Sequence, residues 1–382
     1  MLSERCAMKL TLFVTTACNL TCDYCYVRAR PRSMDDELLD KAVDFGFEKG
    51  ADEDRLDFGL FGGEPLLAWP QCRRAITRIR SRQTQSSAQV NISLVTNATR
   101  LTPEILDFLD DHDVVVQASC DGIPQVQDRH RCFADGSGSS TRVAENLARA
   151  VSRLPTVLVN LVYGPDTQAF LPQSIEYLAD LGLRHLILNP DYSARWQGRE
   201  IEDLSRIYGE IVSLYLDRYR REDPLFISLI DEKLAVVLRG GYGPSERCHM
   251  GVTEFAVSPQ GMVFPCERLV GDGERNAHAL GRLGEEAFWT TDHCRAGGNI
   301  CRAETCQSCS VAEFCMNWCG CSNFFGSGDY ERPSAFICAS ERLAIQAAGQ
   351  VLEELGEAEA MGLLHHYAGL PMLNSVVSRE MV

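Results

Sequence analysis

Six short, mostly apolar runs, at residues 10–15, 56–61, 91–96, 114–119, 156–162 and 185–189, are bounded by turn-forming or polar residues and read as buried strands. Between them, residues 34–49, 71–81, 102–110, 141–153 and 168–181 carry helical spacing, several opening on Ser, Thr or Asp as caps. Strand alternating with helix implies right-handed crossovers and a parallel sheet with helices outside. Six units fall short of a closed eightfold barrel, so the expected fold is α/β, a partial (β/α)6 TIM-like barrel. Its functional groups should follow the C-terminal ends of the strands.

Beyond the sixth strand, helical spacing runs through 200–222 and 227–238 until Arg239-Gly-Gly-Tyr-Gly-Pro244 breaks it. Residues 253–258 and 262–265 flank Pro259-Gln-Gly261, a hairpin signal. Residues 301–338 hold too little aliphatic content for a conventional core, and 340–355 read as a helix with Ser340 as its cap. The organisation expected is a barrel with its following helices over 1–239, a cysteine-rich domain with a β-hairpin over 240–340, and a C-terminal helical tail over 341–382.

Composition changes this picture at one point. Of 17 cysteines, ten fall between Cys248 and Cys338. Glu4, Arg5 and Lys9 interrupt any export signal at the start, and no apolar run approaches the ~20 residues of a membrane span. The expectation is a cytoplasmic chain with reduced thiols, where clustered cysteines hold metal rather than disulfides. A net charge of -16 argues against nucleic acid as a partner.

Directly after the first strand comes Cys18-Asn-Leu-Thr-Cys22-Asp-Tyr-Cys25. Three thiolates from one loop suit an iron-sulfur cube with one iron left open for a ligand, whereas a structural zinc asks for a fourth ligand. The loop, with Tyr24 before its last cysteine, resembles that of the radical S-adenosylmethionine superfamily. After the second strand, Gly62-Gly63-Glu64-Pro65 matches the loop that in this family binds the methionine amine. Adjacent glycines permit close backbone approach, and Glu64 can accept from an ammonium.

Thr96-Asn97 ends the third strand and Ser119-Cys-Asp-Gly122 the fourth; the latter looks like a segment of the family's peptide-modifying branch, as do Asp128-Arg-His-Arg131 and Gly136-Ser-Gly138. The resemblance implies that Ser119 and Arg142 bind the cofactor carboxylate and that Asn189 lies near its adenosine.

The later cysteines follow a second pattern: Cys248, twelve residues, Gly261, four residues, Cys266, then Cys306-x2-Cys309-x5-Cys315-x3-Cys319 and Cys338. This resembles the SPASM extension of radical SAM maturases, and metal-thiolate bonds would order a segment so poor in apolar residues. Zinc ribbons are the alternative for the C-x2-C element. By the resemblance, Cys306, Cys309, Cys315 and Cys338 hold one auxiliary 4Fe-4S cluster, and Cys248, Cys266 and Cys319 hold another. The latter is left with an open iron, or is closed by Cys321, Cys294 or Cys301.

The cofactors implied are S-adenosylmethionine and three 4Fe-4S clusters. Their chemistry is cleavage to a 5'-deoxyadenosyl radical that takes a hydrogen atom from substrate, with auxiliary clusters suited to a net oxidation. Glu267, beside Cys266, is the candidate base, with a surface ion pair to Arg268 or another cation as its other role. The leading expectation is oxidative modification of a peptide, as a thioether or other cross-link. The alternatives are sulfatase-type oxidation of Cys or Ser to formylglycine, a small-molecule dehydrogenase, and a non-catalytic iron-sulfur electron carrier. The partners expected are the peptide or protein substrate and a one-electron donor such as flavodoxin or ferredoxin; since no winged module fits before Leu10, either a separate leader-binding protein joins them or the substrate is recognised through the barrel mouth and the cysteine-rich region.

Overall fold

The computed structural model describes residues 7–27, 30–243, 246–273, 277–285 and 304–367. Its elements run β1 (Met8–Thr15), α1 (Asp36–Lys49), β2 (Arg55–Gly62), α2 (Trp69–Gln83), β3 (Gln89–Thr96), α3 (Pro103–Asp111) and β4 (Val114–Ser119). There follow α4 (Pro124–His130), α5 (Ser140–Val151), β5 (Val157–Tyr163), α6 (Leu171–Asp180), β6 (His185–Pro190), α7 (Gly198–Arg220), β7 (Phe226–Ile227) and α8 (Ser228–Leu238). The remainder is β8 (Glu254–Val257), β9 (Met262–Phe264), β10 (Gly281–Arg282), α9 (Glu304–Gln307), α10 (Gly320–Ser327), α11 (Ala335–Leu355) and α12 (Glu357–Tyr367). The result is a mixed α/β fold with a parallel-sheet core. All six expected strands form, within one or two residues of their expected limits.

The chain divides into two compact units. One comprises residues 1–118, 128–155 and 248–298; the other comprises 119–127, 156–247 and 299–382. In the first, strand order is β10-β9-β8-β1-β2-β3-β4. Strands β1 to β4 pair in parallel, and β8 lies parallel on the other edge of β1, from Lys9 opposite Glu254 to Leu12 opposite Val257. The expected hairpin forms as β8 and β9, antiparallel. Both edges of β1 are paired, and its side chains Leu10, Leu12, Phe13 and Val14, which alternate between the two faces of the sheet, are all fully buried, at roughly 1.5–3 kcal/mol per large side chain.

In the second unit, β5, β6 and β7 are parallel neighbours, and α11 packs on α7 and α8.

Local chemistry sets the helix starts. The side chains of Asp35 and Thr102 accept the backbone N–H groups of Leu38 and Ile105, with Pro103 opening α3. Helix α11 starts earlier than the expected residue 340: Ser334 is the cap, accepting from Ile337 at 3.3 Å. Ser340 is buried within the helix, its hydroxyl 2.7 Å from that of Tyr208.

Candidate functional site

The loop 16–27 leaves β1 at its C-terminal end and carries Cys18, Cys22 and Cys25. Its root is gripped by the loop after β2. The N–H of Gly63 donates to Thr15 O at 2.9 Å, and that of Glu64 to Ala17 O at 2.8 Å. This explains the two glycines. Gly62 sits at φ 152°, where a Cβ would lie 2.0 Å from Thr15 O, and a Cβ on Gly63 would lie 2.5 Å from Ala17 O. The close approach they permit is to the chain's own cysteine loop.

Glu64 is wholly buried. Its Oε1 accepts from Thr96 Oγ1 at 2.7 Å and Leu66 N at 3.0 Å, and its Oε2 from Asn97 N at 2.7 Å. Burial pushes its carboxyl up from the ordinary 4.5 to about 7, while the donors from Asn97, Thr96 and Leu66 pull the other way. A carboxylate offers about four acceptor positions, so three protein donors leave one on Oε2 for a ligand ammonium.

Asn97 joins this network to the first cysteine. Its Nδ2 lies 3.8 Å from Cys18 Sγ and 2.9 Å from Asn19 Oδ1, and its Oδ1 accepts from Thr99. The N–H of Leu20 also points to Cys18 Sγ, at 3.4 Å. Two N–H donors on one sulfur suit a thiolate in a cluster, which fits the three-cysteine donor set.

The far side of the loop is braced by residues 128–142. Thr21 N donates to Cys132 O at 2.9 Å, His130 pairs with Asp23 at 2.9 Å, and the guanidinium of Arg131 lies 5.3 Å from the Tyr24 ring. Tyr26 stacks on Phe61, in contact with the core of Phe13, Met262 and Phe264. Asp128 accepts from both the N–H and the hydroxyl of Ser140, and a Cβ on Gly138 would strike its carboxylate. Arg142 is exposed, with its guanidinium 5.2 Å from the Phe133 ring.

Cys248 and Cys266 belong to the first unit, one before β8 and the other after β9. Glu267 is paired with Lys9 of β1, Nζ to Oε1 3.6 Å. Burial raises its carboxyl, but Lys9 and Arg268 outweigh this and hold it below the usual carboxylate range.

The remaining expected residues lie in the second unit. Ser119 ends β4; Asn189, on β6, meets Asn160 of β5 at 3.4 Å. Cys306, Cys309, Cys315, Cys319 and Cys338 cluster along residues 306–338, and Cys321 Sγ is 3.7 Å from Cys319 Sγ. Cys294 and Cys301 fall outside the described residues. Among the described residues, no three His, Cys, Asp or Glu side chains converge on a single metal ion. A cube, with each thiolate on a different iron, asks for wider separation than one ion does.

Sequence reasoning missed the roles of Asn19, Asn97, Thr99 and Lys9. Only Asn97 carried a signal, its place directly after a strand. Among the described residues, no helix is long and apolar enough to cross a membrane.

Comparison with known proteins agrees with this geometry. The Radical SAM superfamily profile matches residues 12–178. The chain is 27% identical over 321 residues to the serine-type anaerobic sulfatase-maturating enzyme of Klebsiella aerogenes, covering 79% of this chain and 77% of that one. The solved structure of anSMEcpe with bound AdoMet has a TM-score of 0.77 at 18% identity, over 94% of this chain and 98% of that one. Streptococcus suis SuiB bound to its precursor peptide SuiA gives 0.60 at 13% identity, over 87% of this chain and 76% of that one. Residues 12–178, which hold the three-cysteine loop, the Gly62–Pro65 loop and Asn97, are therefore a Radical SAM superfamily domain, in a chain homologous to the anaerobic sulfatase-maturating enzymes.

Proposed function

We propose that this chain is an S-adenosylmethionine-dependent oxidase of a polypeptide side chain, acting in the manner of a sulfatase maturase on Cys or Ser. The observation that carries this reading is the braced three-cysteine loop, with Glu64 and Asn97 beneath it, in a chain whose likeness to a sulfatase-maturating enzyme runs over most of both sequences. When bound, S-adenosylmethionine on a 4Fe-4S cluster supplies a 5'-deoxyadenosyl radical for hydrogen-atom abstraction.

In this reading Cys18, Cys22 and Cys25 hold that cluster, with Tyr24 fixed beside it by Arg131. The free Oε2 position of Glu64 receives the methionine ammonium, while Gly62, Gly63 and Pro65 shape the loop around it. Ser119, Arg142 and Asn189 complete the cofactor contacts. Residues 240–340 form an auxiliary domain, following the barrel at 1–239 and preceding the tail at 341–382. Within it, Cys306, Cys309, Cys315 and Cys338 hold one 4Fe-4S cluster, and Cys248, Cys266 and Cys319 another. Clusters held by these cysteines would supply an acceptor for the electron that a substrate radical must lose in a net oxidation. A flavodoxin or ferredoxin supplies the first electron, and the setting is the cytoplasm.

A second reading, cross-linking of a small peptide with a separate leader-binding protein, is favoured by the likeness in fold to SuiB. The test is anaerobic incubation of the reconstituted protein with S-adenosylmethionine, dithionite and a peptide bearing a sulfatase-type Ser or Cys. Formation of 5'-deoxyadenosine with loss of two hydrogens from the Ser peptide supports the first reading. An unchanged sulfatase-type peptide alongside a cross-linked second peptide supports the other. Absence of 5'-deoxyadenosine would falsify both and leave an iron-sulfur electron carrier.

A further inference from the structure

The start of α11 carries a charged pair of neighbours besides its one candidate thiolate. Cys338 lies on it, and Glu341 and Arg342 follow at the three- and four-residue spacings that share a helix face. Glu341 Oε2 accepts the backbone N–H of Met316 at 2.6 Å and the ammonium of Lys233 at 2.6 Å. Lys233, on α8, also donates to the carbonyl of Phe314 at 3.1 Å and to the Tyr242 hydroxyl at 3.2 Å. The pair thus holds the peptide groups on both sides of Cys315. Arg342 Nη2 donates to Cys309 Sγ at 3.0 Å, and the N–H of Cys309 closes a turn onto Cys306 O at 3.1 Å.

Lys233 and Glu341 are 4% and 7% exposed. A pair that deep bears a heavy desolvation cost, and an apolar pair of similar volume would serve packing as well or better. What apolar side chains cannot do is hold Phe314 O and Met316 N. Arg342 adds a charged N–H donor on the sulfur of Cys309 that fixes where this side chain points.

We propose that Lys233, Glu341 and Arg342 are positioning residues that set the thiolates of Cys315 and Cys309 around Cys338 for an iron-sulfur cluster. This rests on reading those cysteines as cluster ligands. The polar clamp replaces the order that a hydrophobic core gives elsewhere, in a stretch too poor in aliphatic residues to have one.

Iron and sulfide content, the EPR spectrum of the reduced protein and the thermal midpoint of the apoprotein are compared for the wild type, Cys315→Ala, Arg342→Ala and the double variant Lys233→Met/Glu341→Leu. The double variant is expected to unfold within a few degrees of the wild type yet to lose the iron of one cluster, as Cys315→Ala does. Arg342→Ala is expected to alter the EPR signal of that same cluster. If Cys315→Ala loses iron while the double variant keeps it with an unchanged spectrum, the clamp is overturned and the ligand reading stands. If Cys315→Ala keeps all its iron, the ligand reading fails and the clamp fails with it. Should the double variant not fold, Glu341→Gln decides. Its side-chain oxygen still accepts from Met316, so iron is kept, and the lost negative charge raises the cluster's reduction potential. An unchanged potential overturns the proposal.

Discussion

The side-chain amide of Asn97 lies 3.8 Å from the sulfur of Cys18, bringing the end of the third strand to the first cysteine of the loop after β1. An N–H donor on a cluster thiolate stabilises the more negative, reduced state. Asn97→Ala is expected to lower the potential of the cluster at Cys18, Cys22 and Cys25 by about 40 mV, the one-electron equivalent of about 1 kcal/mol of hydrogen bond. Redox titration followed by EPR checks this, and an unmoved potential would show that the contact is only architectural.

Burial of Glu64 makes stability depend on pH. Unfolded, the carboxyl ionises near its ordinary 4.5; folded, it keeps its proton up to about 7. The stabilisation is therefore whole below the unfolded value and is lost as pH rises through about 7, by an amount on the order of 3 kcal/mol. Glu64→Gln, neutral throughout, removes this slope. Urea denaturation of both proteins between pH 5 and 8 would show parallel curves if the expectation is wrong.

Gly63 has no room for a methyl group, which would meet the carbonyls of Ala17 and Thr16 at 2.5 and 2.6 Å. Gly63→Ala should cost roughly 1–3 kcal/mol and push the root of the cysteine loop away from β2. Reduced iron retention after gel filtration, together with a lowered thermal midpoint, is the expected result; normal values for both would contradict it.

Lys9 keeps Glu267 ionised, which makes it a weak proton acceptor at neutral pH. Loss of a general base costs about 10²–10⁴ in rate. Glu267→Gln is expected to cost less than about tenfold in product formation while 5'-deoxyadenosine continues to form. A loss in the full range of a general base would assign it that role.

Much of this arrangement was legible in the sequence because strand periodicity and cysteine spacing are local properties. Strands β1 to β6, the loop at Cys18 and the glycines at 62 and 63 all follow from short windows. What was not legible depends on distant pairing. Arg268 is the sequence neighbour of Glu267, yet Lys9 meets it because β8 pairs with β1. Two-residue strands such as β7 and β10 have no period to detect. Lys233 and Glu341 interrupt apolar helices, and only the packing of α11 on α8 shows why charge belongs there. Helix α11 begins before residue 340 because Ser334 caps it, and Ser340, an equally good cap by residue type, is instead taken up by Tyr208.

The parallel pairing of β8 with β1 has a consequence for biosynthesis. Position 9 waits for position 254, so one edge of the first strand stays unpaired while most of the chain is being made. Contacts of such separation are slow to close, and an open edge of mostly apolar strand invites pairing with other chains. The nascent protein therefore passes through a stage in which β1 keeps an unpaired, mostly apolar edge. The arrival of residues 254–257 ends that exposure, so a chain truncated before them should be prone to aggregate.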